Sequence, residues 1–327
     1  MRVRASERGA ALLTVLILVG VMGAIAVTMF DRLRLATMLA GNATGLEAAR
    51  AFGMVGEALV TTRIEDLIAA SPQKTTLAGG WQGRAITLPL PEGTAVARVN
   101  DGGNCFNLNS LVIGTPPNAL VSRPIAIEQF IALMALLAVP KTEARRVAAS
   151  AADWIDSDDQ PNADGAEDGV YARAPRAYRA ANTMMAEVSE LRAVNGVTPA
   201  LYARLRPWLC ALPVAELSGI NVNTLAPEQA PLIAMLFGEA LRPDAARRVI
   251  AERPAAGWNG VAEFWNTPTL RDFTPAGDVL QQPQVRTRWF GLDLRIDVAG
   301  TPLHETGLID ARRSPARLAV RRWGDDQ

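Results

Sequence analysis

The densest chemistry in this sequence is the run Asp153-Trp154-Ile155-Asp156-Ser157-Asp158-Asp159-Gln160-Pro161-Asn162-Ala163-Asp164-Gly165-Ala166-Glu167-Asp168. Counted from Asp156, oxygen-bearing side chains fall at the first, third, fifth, seventh, ninth and twelfth positions: Asp156, Asp158, Gln160, Asn162, Asp164 and Glu167. This is the ligand rhythm of a calcium loop that follows a helix. Clustered carboxylates repel one another unless a cation neutralises them, and an all-oxygen donor set favours a hard cation over zinc. Calcium is therefore the expected cofactor, with Asp156, Asp158, Asp164, Glu167 and the adjoining Asp168 as candidate ligands. Pro161 occupies the sixth position, where an EF-hand needs glycine, so the loop must take a different path. A solvated acidic loop without an ion is the alternative. Tyr171, Tyr178, Arg179 and Asn182 are assigned to packing of the loop.

Little else reads as catalytic. His304 is the one histidine, which excludes histidine-based triads and multi-histidine metal centres. Asn107-Leu108-Asn109-Ser110 has no adjacent general base, and the paired acids of the loop lack the sugar-stacking cleft of a glycosidase. We expect no enzyme, no catalytic residue and no small-molecule substrate. Net charge is zero and the only lysines are Lys74 and Lys141, so no basic stripe announces nucleic acid. Two cysteines, Cys105 and Cys210, stand outside any CxxC motif. In an exported chain they predict a disulfide, and closing a loop of about a hundred residues contributes about 4 to 5 kcal/mol in the chain-entropy model. Two buried free thiols are the alternative.

The elements that must carry these residues include a repeat. Asn107-Leu108-Asn109-Ser110-Leu111 recurs as Asn221-Val222-Asn223-Thr224-Leu225. Apolar helices follow, Ile127–Leu137 and Gln229–Leu236, and then the matching segments Ala144-Arg145-Arg146-Val147 and Ala246-Arg247-Arg248-Val249. Duplication is the simplest account. The asparagines suit caps and turns, because their side chains bond local backbone.

The start of the chain is of another kind. Ala10 to Phe30 is an uncharged run of 21 residues, about 31 Å as a helix, which matches a bilayer's hydrocarbon core. Arg2, Arg4 and Arg8 precede it and the bulk of the chain follows, so the charge bias predicts a cytoplasmic N-terminus and an exported body. Helical apolar spacing continues through Phe52, Val55, Leu59, Ile64 and Leu67, predicting one helix to about Ala70. A secretory signal cleaved near Ala26 and a plain single-span anchor are the competing readings.

Short alternating segments flank the middle of the chain. Arg84–Leu88 and Thr94–Val99 read as strands, and Leu292, Leu294, Ile296 and Val298 alternate with Asp293, Arg295 and Asp297. Leu303–Ala311 and Arg317–Trp323 would supply two more. A chain of 327 residues exceeds what one core usually accommodates. The expected division is a leader (1–9), a long helix (10–72, spanning the membrane over 10–30), a first part of a sheet (73–123), an inserted helical domain (124–283) and a second part of the sheet (284–327).

A basic leader ending in Gly9, followed by a membrane-length start to one long helix, resembles type IV pilins and type II secretion pseudopilins. In that family a prepilin peptidase cuts after the glycine and methylates the new amino terminus, here between Gly9 and Ala10, with Ala10 methylated. The usual glutamate at the fifth mature position is replaced by Thr14. The second asparagine repeat resembles the helix-hairpin-helix fold of competence-type DNA receptors. Its hairpin, Leu241-Arg242-Pro243-Asp244, lacks the glycine that meets phosphate and carries an acid. A membrane-tethered DNA-binding protein, resting on Arg247, Arg248 and Arg253, is the alternative function.

With Cys105-Phe106-Asn107-Leu108-Asn109-Ser110, Asp153-Trp154-Ile155-Asp156, Tyr178-Arg179-Ala180-Ala181-Asn182, Ser189-Glu190-Leu191 and Ile220-Asn221-Val222-Asn223-Thr224, the chain resembles the general secretion pathway protein K family, the large minor pseudopilins of type II secretion. The resemblance implies an α+β fold, with a pilin-like long helix on an antiparallel sheet and a large inserted all-α domain of helix-hairpin-helix or SAM-like repeats. It also implies bound calcium, an inner-membrane span with the body in the periplasm, and a tip complex with the I-type and J-type minor pseudopilins.

Overall fold

The computed structural model describes residues 5–91, 93–115, 119–238, 240–275, 277–298 and 300–324, with side chains described from Ala10 onward. Of the expected leader, residues 1–4 lie outside the described residues and residues 5–9 are described as backbone only.

Helix α1 runs unbroken over Ala5–Ala70, 66 residues, or about 100 Å at standard rise. No proline interrupts it, and its two halves meet different surroundings. The apolar stretch from Ala10 is wholly exposed. From about Leu46 one face turns to a sheet, burying Ala49, Val60 and Ile64 with Leu46, Phe52 and Leu67 beside them. The expected face is corrected at two positions, because Val55 and Leu59 remain 63% and 42% exposed. Each is one residue, about 100° of helical rotation, away from the buried Gly56 and Val60.

After α1 come strands β1 (Ile86–Leu90) and β2 (Gly93–Asp101). The chain then leaves the sheet for residues 102–288. This stretch holds β3 (Phe106–Asn107), β4 (Val112–Thr115), β5 (Ala119–Ser122), α2 (Pro124–Leu136), α3 (Lys141–Ile155), α4 (Asp168–Tyr171), α5 (Pro199–Leu205), β6 (Leu209–Cys210), β7 (Ile220–Asn221), α6 (Ala230–Ala234), α7 (Pro243–Ala251), α8 (Val261–Trp265) and β8 (Pro283–Gln284). It returns as β9 (Trp289–Val298), β10 (Thr301–Asp310) and β11 (Arg317–Trp323).

The main sheet has five strands in the order β1-β2-β9-β10-β11, all antiparallel. Pro89 sits in edge strand β1, where a missing N–H costs no ladder bond. The alternation expected of β9 is present: Leu292, Leu294, Ile296 and Val298 are buried towards α1. Helix and sheet approach closely because α1 offers glycines there. A Cβ on Gly53 would lie 2.7 Å from the Trp323 ring, and one on Gly45 would lie 2.5 Å from Thr301 Oγ1.

The insert is larger than the sequence spacing suggests and is not purely helical. Residues 106–122, assigned by the expected division to the first part of the sheet, hold β3, β4 and β5, which pair as β3–β6 and β4–β5 away from it; β7–β8 is a further small pair in the insert. Its core, built on Phe106, Phe130, Leu133, Val147, Ile233 and Phe264, is separate from the helix–sheet core.

The two asparagine segments occupy equivalent places. Asn107 and Asn221 each accept the N–H of the residue two positions on, at 3.2 and 3.0 Å. Asn109 holds Met185 through both its N–H and its C=O (2.8 and 2.9 Å), and Asn223 holds Trp258 in the same way. The expected turn role is thus joined by a longer-range one. Each asparagine pins a segment tens of residues away. Beside the first copy, Cys105 and Cys210 form a disulfide with Cα atoms 5.8 Å apart.

Candidate metal centre

Helix α3 buries Ala144, Val147, Ala148, Ala151, Ala152 and Ile155 along its inner side. Its last intrahelical bond of this kind is Asp156 N–H to Ala152 C=O, at 2.9 Å. The acidic loop begins there, and Asp153, fully buried one turn earlier, organises it. Asp153 Oδ1 accepts from Asn162 N (3.0 Å) and Asn162 Nδ2 (2.5 Å), and Oδ2 accepts from Ala166 N (2.6 Å). Gly165 makes this turn feasible, because a Cβ there would stand 1.9 Å from Asp153 Oδ2. Both Asp153 oxygens are spent on loop backbone and amide, so its role is scaffolding.

The folded loop brings together Asp156, Asp158 and Glu167, the first, third and twelfth positions of the sequence pattern. One oxygen of each lies within 4.8 Å of the others. Oxygens bound to one calcium at 2.3–2.6 Å span at most about 5 Å, so the cluster has the right size. Asp156 is 2% exposed and Glu167 7% exposed. Asp156 Oδ1 and both Glu167 oxygens are buried without a hydrogen-bond partner. Such orphaned acceptors are costly, and a cation would satisfy all three. Burial, reinforced by Asp153 and Asp156, pushes Glu167 up to about 7. Burial, opposed by Ser122 and reinforced by Asp158 and Asp153, pushes Asp156 up to about 6. These are the expected strains of carboxylates gathered without a counter-charge.

The other expected ligands go elsewhere. Asp164 is exposed, at a φ of 67°, and stands outside the cluster. Asp168 opens α4; its Oδ1 accepts from Ala180 N at 2.9 Å and its Oδ2 lies 3.7 Å from Arg179. Trp154, Tyr171 and Tyr178 stack in a cluster with ring centroids 5.1 to 6.2 Å apart, and Asn182 N donates to Trp154 C=O. Sequence reasoning missed Ser122. Its hydroxyl donates to Asp156 Oδ2 and accepts from Asn162 Nδ2, both at 2.7 Å. A lone serine 34 positions upstream carries no local signal.

Two family models described as "Type II secretion system (T2SS), protein K" match residues 104–214 and 220–286. The chain is 32% identical to the Type II secretion system protein K of Pectobacterium carotovorum subsp. carotovorum over 324 residues, 98% of each chain. It is 38% identical to that of Aeromonas hydrophila over 257 residues, 77% of each. The chain belongs to the type II secretion system protein K family. As a member of that family it is a minor pseudopilin, a structural component of secretion machinery. Its fold is similar to a chain of the crystal structure of the GspK-GspI-GspJ complex from the enterotoxigenic Escherichia coli type 2 secretion system. The TM-score is 0.74 at 30% identity, covering 86% of this chain and 97% of that one. The two protein K matches coincide with the two asparagine-led units. One runs from Asn104 past β6 and holds the acidic loop and both cysteines; the other runs from β7 past β8.

Proposed function

We propose that this protein caps the tip of the type II secretion pseudopilus, in a complex with I-type and J-type minor pseudopilins. The observation that carries the reading is the extent of likeness to the GspK chain solved with GspI and GspJ, 97% of which is covered. The physical form agrees. An exposed apolar helix supplies a packing rod at one end, and an insert of domain size sits at the other. Its bulk would block another subunit from stacking above. Thr14 fits the same position: its hydroxyl is spent on Ala10 and Ala11 carbonyls of its own helix and offers no charge to a neighbour's amino terminus.

On this reading prepilin peptidase cleaves between Gly9 and Ala10 and methylates Ala10, Ala10–Phe30 spans the inner membrane, and the body lies in the periplasm. The insert comprises two helix-hairpin-helix or SAM-like units. Calcium is held by Asp156, Asp158 and Glu167, neutralising three clustered acids and fixing the loop between α3 and α4. Mass measurement of the mature N-terminal peptide tests processing, with methylated Ala10 expected. Co-purification of the full chain with the I and J subunits tests the complex. Finding the subunit spaced along the filament shaft would sink the capping role.

A further inference from the structure

The turn between β10 and β11 and the segment entering β9 form an arginine face that nothing above uses. The two segments are joined by Ala311 N–H to Arg288 C=O at 2.8 Å. Arg312 lies between two adjoining grooves of about 540 and 620 Å³, one lined by Arg286 and Arg288 and the other by Arg313 and Arg317. Arg312 itself is committed. It forks onto Asp310, reaches Glu216 of the insert at 3.3 Å, and stacks over Trp289 at 4.5 Å. Arg286, Arg288, Arg313 and Arg317 are exposed and form no salt bridge among the described residues. On a chain of net charge zero, these four beside Arg312 outnumber the one carboxylate lining the two grooves, Asp310, which Arg312 and Arg313 already hold below its usual range, and are a local excess.

We propose that this face docks a carboxylate-rich segment of a partner protein. Planar guanidinium groups suit carboxylate and phosphate alike, so position and charge must decide between them. Ala316 N bonds Glu65 of α1 at 3.0 Å, which places the face 35 helical residues, about 50 Å, beyond Phe30. If Ala10–Phe30 is the membrane span proposed above, inner-membrane headgroups lie several screening lengths away. A polyphosphate such as DNA calls for a broad positive footprint, which a neutral chain does not provide. Carboxylate docking already operates within the patch, where Arg312 ties the insert to the sheet through Glu216. Its free neighbours are placed to do the same to a partner.

The test uses the full chain in neutral detergent and a fluorescent oligoglutamate peptide, with anisotropy as readout. The doubles Arg286→Gln/Arg288→Gln and Arg313→Gln/Arg317→Gln should each weaken binding about tenfold, as loss of two exposed ion pairs implies. Arg247→Gln/Arg248→Gln, exposed arginines on α7, should leave it unchanged. Equal loss in that control, no loss in either double, or no peptide binding by the unaltered chain would overturn the proposal. So would tighter, arginine-dependent binding to anionic vesicles or duplex DNA. Processing at Gly9 and assembly with I and J are read separately, so failure here leaves the pseudopilin reading intact.

Discussion

Ser122 donates its hydroxyl to Asp156 Oδ2 at 2.7 Å, tying strand β5 to the acidic loop. The neighbouring Ser157 strengthens the tie: its N–H donates to Leu120 C=O and its hydroxyl accepts from Leu120 N, at 2.9 and 3.0 Å. The β4–β5 pair and the acidic loop are therefore one mechanical unit. Ser122→Ala should weaken calcium binding about tenfold, as loss of an outer partner typically does. Calorimetric titration of the full chain checks this.

Removing a ligand should cost more. Glu167→Gln together with Asp156→Asn should abolish calcium binding while relieving the repulsion that burdens the ion-free loop. The expected outcome is a melting temperature no longer raised by calcium or lowered by chelator. Terbium emission sensitised through Trp154 should disappear in the same variant. A chelator effect that survives the double substitution would place the ion elsewhere.

A second set of buried charges sits between α1 and the sheet. Arg321 forks onto Glu57, and its Nε lies 3.8 Å from the fully buried Glu305. Burial pushes Glu305 up to about 9, helped by its hydrogen bond to Glu57 and that group's charge. Burial also raises Glu57, but hydrogen bonds from Arg321 and Glu305 outweigh it and hold Glu57 below the usual range. Glu305 is thus protonated in the folded state when it would ionise in the unfolded one. Its contribution is fully present below about pH 4.5 and is lost progressively as pH rises towards 9. Glu305→Gln should therefore raise the melting temperature at pH 8 by several degrees and change it little at pH 4. Thermal melts at the two pH values decide it.

The Cys105–Cys210 disulfide closes a separation of 105 residues within the insert. Cys105→Ser/Cys210→Ser should lower stability by about 2 to 5 kcal/mol. Because the insert has its own core, protection of its amides from hydrogen exchange should fall before that of β9 and β10.

The sequence by itself determined the local features. A lipid-length apolar run, the two-residue alternation of β9, the asparagine repeat and the acidic run all express preferences that act over a few neighbouring residues. The same locality limited what could be read. Position in the pattern nominated Asp164 and adjacency to it nominated Asp168, but the loop reaches its shape through Asp153, whose two oxygens capture Asn162 and Ala166 and turn Asp164 to solvent. Val55 and Leu59 fitted a helical stripe, yet the sheet lies against the stripe beside them.

Tertiary structure alone decided the partnerships between distant residues: Ser122 with Asp156, Arg321 with Glu57 across 264 positions, and Arg312 with Glu216. Periodicity tells a residue which way to face along its own element. It carries no information on what the fold will place opposite, because that depends on the sheet order and on where the insert closes back onto it.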